Sequence, residues 1–263
     1  MRAADRNYDF NAKTEEAFTI KAIILAAGYA TRLYPLTKNV PKSLLPINGK
    51  PVLNYIFDEI EKIDDIDQAY IVSNSTFANH FKTWAENSTY KKLIEVIDDG
   101  AKNESERKGA VGDIQFVLEY KKIDDDIFII AGDNYFTYSL RDAYAHFIKL
   151  GEDCACAKRL NNPEELKQFG VAEIDSSSKI IGFDEKPLEP KSDLVVYATY
   201  FMRKSTVPMF SSYLQEGNSS DNIGSFIKWL CERKDVYAYI FNGECYDIGT
   251  RESYDRLQTI TTK

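Results

Sequence analysis

Residues 21–53 read KAIILAAGYATRLYPLTKNVPKSLLPINGKPVL, and this stretch decides the fold. Ile23 to Ala26 is an apolar run of strand type that empties into a turn at Gly28. Arg32 and Lys42 follow in the loop, and Pro51 opens a helical pattern. A strand ending in such a turn presents backbone N–H groups to a ligand, and two nearby cations favour a polyanion, so a nucleoside triphosphate is the expected occupant. Gly28 is followed by Tyr29, Ala30, Thr31 and Arg32, which makes neither a P-loop nor the dinucleotide G-x-G-x-x-G. On this much alone, an ordinary first strand and surface loop is an equal reading.

Outward from that stretch the rhythm is strand, loop, helix. Val52, Ile56, Ile60 and Ile63 mark one helix face, and Ala69 to Val72 reads as the second strand. Phe77, Phe81 and Trp84 fall on one side of a further helix, a core-packing pattern, and Leu93 to Ile97 is the next strand. The polar tract 98–108, DDGAKNESERK, reads as a mobile loop, followed by a helix start at GAVGDIQFVLEY. Ile127 to Ala131 is an uninterrupted apolar run of the kind buried on both faces of a parallel sheet, and it delivers Gly132-Asp133-Asn134 at its C-terminal end. Open α/β sheets bind ligands at that end. A helix-capping or turn Asp is the bland alternative for Asp133.

Ser139 caps an amphipathic helix through Leu140, Tyr144, Phe147 and Leu150, and the strand CACAKRL follows. The pattern then changes. Gly170 to Ile174 and Lys179 to Glu185, joined by a serine turn, read as an antiparallel hairpin, and Leu194 to Met202 as another strand. A helix over Ser225 to Arg233, a strand over Val236 to Phe241 and a helix over Arg251 to Thr261 complete the series. Successive β-α units imply a parallel sheet, so the expected fold is α/β, a Rossmann-like three-layer α/β/α sandwich whose central sheet is mixed but mostly parallel.

The chain has 263 residues and a net charge of −8, enough length for one full core. The absence of a Lys/Arg block argues against nucleic acid as a partner. No apolar run reaches the ~20 residues that span a bilayer, and no basic-then-apolar leader opens the chain, so no membrane partner and a cytoplasmic location are expected. The four cysteines, Cys154, Cys156, Cys231 and Cys245, form no C-x-x-C pair and read as reduced structural thiols. Residues 1–19 are a polar arm with isolated apolar points, which leaves a homo-oligomer open.

Leu25, Ala26, Gly28, Thr31, Arg32, Leu33, Pro35, Leu36 and Thr37, then Pro41, Lys42, Leu44, Leu45, Pro46, Lys50 and Pro51, match L-A-x-G-x-G-T-R-L-x-P-L-T and P-K-x-L-L-P-x-x-x-K-P. In these motifs the chain resembles the sugar-1-phosphate nucleotidylyltransferases. Ala30 stands where many members have a second glycine, and a left-handed backbone is disfavoured for a residue with a Cβ. Gly109, Gly112 and Ile114 are similar to the family's G-T-A-G-A-I element, Phe169-Gly170-Val171 to (Y/F)-G-V, Glu185-Lys186-Pro187 to E-K-P, and Tyr200 to the tyrosine of G-x-Y-x-F. Asp221 to Leu230 resembles D-x-x-G-x-F-I-x-W-L, and Asp247, Gly249 and Thr250 echo W-x-D-I-G-T. No left-handed β-helix repeat follows Thr261, so the acetyltransferase half of some bifunctional relatives is not expected.

The resemblance implies one nucleotidyltransferase domain over 20–263, with a nucleotide-binding half at about 20–135 and a sugar-phosphate half at about 136–263. It implies transfer of a nucleoside monophosphate from an NTP, UTP or dTTP, to a sugar 1-phosphate with release of pyrophosphate. Leu25, Ala26, Ala27, Gly28, Thr31, Arg32, Asp99, Gly109 and Asp133 would bind the nucleotide. Gly170, Glu185, Lys186 and Tyr200 would bind the sugar phosphate, and Asp133 and Asp247 would hold Mg²⁺. Arg32, Lys42 and Asp133 are the expected catalytic residues. Relatives read the base with a Gln or Glu where this chain has Asp98 and Asp99, and carboxylates only accept hydrogen bonds where an amide also donates. Two other readings stand beside this one: a CTP-dependent cytidylyltransferase acting on phosphocholine or a phosphonate, its quaternary amine caged by some of the 17 tyrosines, and an inactive nucleotide-binding regulatory protein.

Overall fold

The computed structural model describes residues 19–261, so the expected N-terminal arm lies, apart from Thr19, outside the described residues. In chain order, strand β1 is Ile20–Leu25, and Pro46–Ile47 (β2) and Lys50–Pro51 (β3) form a small hairpin ahead of helix α1, Val52–Ile60. Then come β4 Ile66–Ser73, α2 Ala78–Glu86, β5 Leu93–Asp98, α3 Ala110–Lys121, β6 Asp126–Ala131, β7 Asn134–Phe136, α4 Leu140–Leu150, β8 Asp153–Arg159 and α5 Pro163–Leu166. The remaining elements are β9 Gly170–Ile174, β10 Ile180–Glu185, β11 Leu194–Met202, α6 Val207–Gln215, α7 Ile223–Cys231, β12 Val236–Ile240, β13 Cys245–Asp247 and α8 Arg251–Thr261.

Strands β5, β4, β1 and β6 lie side by side and parallel, as the repeated β-α units require. β11 then joins antiparallel: it pairs with β6 through Thr199–Met202 and with β9 through Leu194–Val196, and also with β8, which runs parallel to β12. β9 and β10 form the expected antiparallel hairpin at the edge. Among the described residues the result is one continuous mixed sheet of nine strands.

Alternation along each strand separates two apolar cores. Ile24 and Phe128 face the core closed by Leu53 and Phe57 of α1, Phe81 of α2 and Phe147 of α4. Ile23 and Ile129 face the one closed by Ile114 of α3, Phe210 of α6 and Phe226 of α7. Helices on both faces of the sheet make the three layers. Cys154 and Cys156 share the first core, as two residues two apart on a strand should, and all four cysteines are free.

Local signals set some of the boundaries. The Ser139 hydroxyl accepts from the Asp142 amide at 3.1 Å to start α4, and Gly151, with φ 82°, ends it. One expectation needs correction: Phe77 precedes α2 as its N-cap, so the helix carries Phe81 and Trp84 but not Phe77, whose ring is nevertheless buried. The tract 98–108 is folded rather than loose. Asn103 caps a short turn over Glu104–Glu106, and the Glu106 carboxylate accepts from the Lys102 amide and the Asn103 side chain. No helix among the described residues is long and apolar enough to cross a membrane.

Candidate active site

In-register pairing of β1 with β6 sets Leu25 beside Ala131, so the two strands end together and the Gly132 amide donates to the Leu25 carbonyl at 2.8 Å. The Gly28 turn and Asp133 are thereby neighbours. A second pairing completes the site: β13 runs antiparallel to β7 and puts Asp247 opposite Asn134. A third small core fastens this C-terminal segment down, with Ile248, Tyr254 and Leu257 packed on Leu33, Leu45 and Ile47 of the early loop. The Tyr254 hydroxyl donates to the Pro46 carbonyl at 2.7 Å.

Lys42 sits where these segments meet. Its ammonium donates to Asp133 Oδ2 and, at 3.1 Å, to Asp247 Oδ1. Burial opposes its charge, but the two carboxylates outweigh burial and raise its pKa. Asp247 stands in the open cleft with its side chain 45 % exposed, yet desolvation by the walls and repulsion from Asp133 raise its pKa, against the pull of Lys42 and Arg32. Two carboxylates this close favour a cation between them.

Two cavities open on either side of Asp133. The first, about 280 Å³, takes its floor from Leu25, Ala26 and Gly28, its cations from Arg32 and Lys42, and reaches Asp133; Thr31 also lines it. The second, about 250 Å³, starts at Asp133 and Asp247 and is lined by Gly170, Glu185, Lys186 and Tyr200. Asp133 thus borders both. Arg32 also approaches the segment after β13: a Cβ built on Gly249 would lie 3.9 Å from its guanidinium.

Three residues expected at the nucleotide do not line the first cavity. Ala27 is buried, and its carbonyl accepts from the Asn74 side chain at 2.8 Å. Asp99 is 4 % exposed and its Oδ1 accepts from the Ala101 amide at 2.7 Å. Asp98 is likewise spent on the loop, accepting from the Ser75 hydroxyl and the Gly100 amide. Gly109, with φ 80°, packs so tightly that a Cβ there would lie 2.6 Å from Asp221 Cα and the Ser220 carbonyl oxygen. The first amides of α3, at Ala110 and Val111, donate to the Asp221 and Ser220 carbonyls, so this glycine has a packing reason of its own.

Other residues enter that motif reading did not assign. Tyr29, Ser43, Glu104 and Arg107 line the first cavity, the last two from the folded tract. Asn222 lines the second and does two things at once: its Oδ1 caps α7 through the Gly224 amide at 2.7 Å, and its Nδ2 donates to Glu185 Oε1 at 2.8 Å. Glu185 is also pressed against Gly224, where a Cβ would fall 1.9 Å from Oε2. The only sequence sign of this was an Asn just ahead of an apolar helix, which signals a cap and not a ligand.

Backbone strain collects here too. Ala30 does adopt the left-handed conformation, φ 50° and ψ 42°, held by the Thr37 hydroxyl and the Leu33 amide, both donating to its carbonyl. Lys186 also has φ 47°, with its amide donating to the Phe169 carbonyl at 3.0 Å.

The profile of the nucleotidyl transferase family matches residues 21–263. A protein from Methanocaldococcus jannaschii named bifunctional protein GlmU is 32 % identical over 232 residues, covering 87 % of this chain and 51 % of that protein. A glucose-1-phosphate thymidylyltransferase from Streptomyces griseus is 26 % identical over 238 residues, covering 88 % of this chain and 62 % of its own length. The chain therefore spans about half to two thirds of the length of these relatives. Among solved structures, an apo UDP-glucose pyrophosphorylase superposes with a TM-score of 0.78 at 21 % identity, over 93 % of this chain and 98 % of the other, which establishes the fold.

Proposed function

Because the chain belongs to the nucleotidyl transferase family, we propose that it transfers a nucleoside monophosphate from an NTP to a sugar 1-phosphate and releases pyrophosphate. The observation that carries this reading is the position of Asp133, which borders both cavities and is bonded to Lys42. A triphosphate in the first cavity and a phosphomonoester in the second would meet at that residue.

An oxygen of the sugar phosphate attacks the α-phosphorus, the new P–O bond forms, and the bond to the β-phosphate breaks. With a second pKa near ~6 the attacking phosphate is already mostly dianionic at neutral pH, so no general base is needed. His80 and His146 fit that: they pack on Phe77 and Tyr239, and neither lines either cavity. What the reaction does require is alignment and neutralisation of clustered negative charge. Arg32 would clamp the outgoing phosphates with its planar fork, and Lys42 would exchange a carboxylate partner for the developing charge. Lys186 would counter the sugar phosphate, while Glu185, oriented by Asn222, accepts from sugar hydroxyls.

Mg²⁺ suits the remaining part of the site. One ammonium already bridges Asp133 and Asp247, so these hard oxygen donors converge on a single cation position, and Mg²⁺ is commonly held by one or two carboxylates plus phosphate oxygens. When bound it would neutralise triphosphate charge. UTP or dTTP and glucose 1-phosphate are the first substrates to try, the thymidylyltransferase name among the relatives supporting the latter nucleotide.

A second reading has one observation behind it. Phe169 and Tyr197 pack tilted against each other, ring centroids 5.2 Å apart, along the second cavity, and Tyr200 lines it too, an aromatic wall that could meet a quaternary amine. The test is a matrix of NTPs against sugar 1-phosphates, with CTP and phosphocholine as a further arm, read as pyrophosphate release with and without Mg²⁺. Release with a sugar 1-phosphate supports the first reading, release only with phosphocholine the second, and none with any pair leaves a binding protein.

A further inference from the structure

Asp99 follows β5 at the root of the tract 98–108, Asp113 lies in the first turn of α3, and the two residues, 4 % and 6 % exposed, are buried near enough for each carboxyl group to feel the other. Asp99 Oδ2 and Asp113 Oδ1 are buried and find no donor among the described residues. Two ionised carboxylates so placed would repel each other and leave lone pairs unsatisfied; one proton between them removes both costs. Burial first, and then the charge of Asp99, push Asp113 up to about 8. The other titratable groups facing the pair are Lys108, which favours ionisation, Asp98, which opposes it, and Tyr29, whose hydroxyl feels the charge of Asp99.

The pair closes the base of a wall. The tract is otherwise tied by the Tyr29 hydroxyl and the Ser75 amide, which donate to the Ala101 carbonyl at 3.0 and 2.9 Å, and by the Arg107–Asp221 ion pair at 3.0 Å. Glu104 and Arg107, the latter itself one of those ties, line the first cavity. We infer that Asp99 and Asp113 share a single proton and act as a positioning pair that holds residues 98–108 as the nucleotide-facing wall. The inference rests on the first cavity being the NTP site. Losing the proton to solvent leaves two like charges under the tract and loosens it.

Two measurements across pH 7.0 to 9.3 test this on the full chain. Trypsin cleavage after Lys102, Arg107 and Lys108, scored against cleavage elsewhere in the same digest, should rise several-fold above pH 8 in the wild type. It should stay flat in Asp113→Asn, whose amide donates permanently to Asp99; Asp99→Asn gives the same pattern from the other side and serves if the first variant fails to fold. NTP affinity, titrated with UTP, dTTP, CTP and GTP, should fall with pH in the wild type, by at most about tenfold per pH unit for one proton, and not in Asp113→Asn. Equal protection of the wild-type tract at both pH values, or equal loss in both variants, overturns the shared proton. pH-dependent protection with no NTP binding at any pH overturns the nucleotide site instead and leaves the proton pair standing.

Discussion

Lys42 Nζ donates to Asp247 Oδ1 at 3.1 Å, a bond that closes across 205 positions of chain. The same ammonium holds Asp133, so removing it leaves two carboxylates facing each other and takes away the cation nearest the proposed reaction centre. Lys42→Ala should lower kcat by on the order of 10²-fold or more, measured as pyrophosphate release at saturating substrates. A folded variant with near-normal turnover would remove Lys42 from the chemistry.

Asp133→Asn should abolish turnover while the protein still folds, since the residue keeps its size and sits at the cavity junction with its side chain 29 % exposed rather than in a core. Circular dichroism melting within a few degrees of wild type, alongside lost pyrophosphate release, is the expected pair of results. Retained activity would separate this aspartate from the reaction.

Gly224→Ala should act on the sugar side alone. The new methyl falls 1.9 Å from Glu185 Oε2 and drives that carboxylate off its place beside Asn222. Losing one hydrogen bond to a charged group costs about 1.5–3 kcal/mol, so KM for the sugar 1-phosphate should rise roughly 10- to 100-fold. KM for the NTP should hold steady; a parallel rise in both would point to general unfolding of the site.

Ala30→Gly should stabilise the fold. A Cβ in the left-handed region costs roughly 1–2 kcal/mol, and the greater freedom of glycine in the unfolded chain returns about 0.5–1 of that, leaving a gain on the order of 0.5–1 kcal/mol. Urea unfolding reads it as a higher midpoint at unchanged slope. A lower midpoint would mean that the methyl packs better than its backbone suffers.

Much of this molecule is written in local sequence. Strand β6, the hairpin of β9 and β10, and the Ser139 cap follow from side-chain periodicity and from turn and cap chemistry within a few residues, and these physical signals survive in any context. The cluster of Arg32, Lys42, Asp133 and Asp247 could be proposed from motif residues, but their convergence depends on the β13–β7 pairing and on the small core under α8, contacts between segments far apart in the chain. Tract 98–108 looked loose because its polar residues have no periodicity. Its order comes from Tyr29, Ser75 and Asp221, partners that only the folded chain brings near. The same holds for Gly109 and Asp99, whose neighbours across space pack the one against Ser220 and Asp221 and bury the other near Asp113, relations that no spacing encodes. Short-range sterics and hydrophobic alternation are properties of the chain itself, whereas which carboxylate meets which cation is decided by long-range packing.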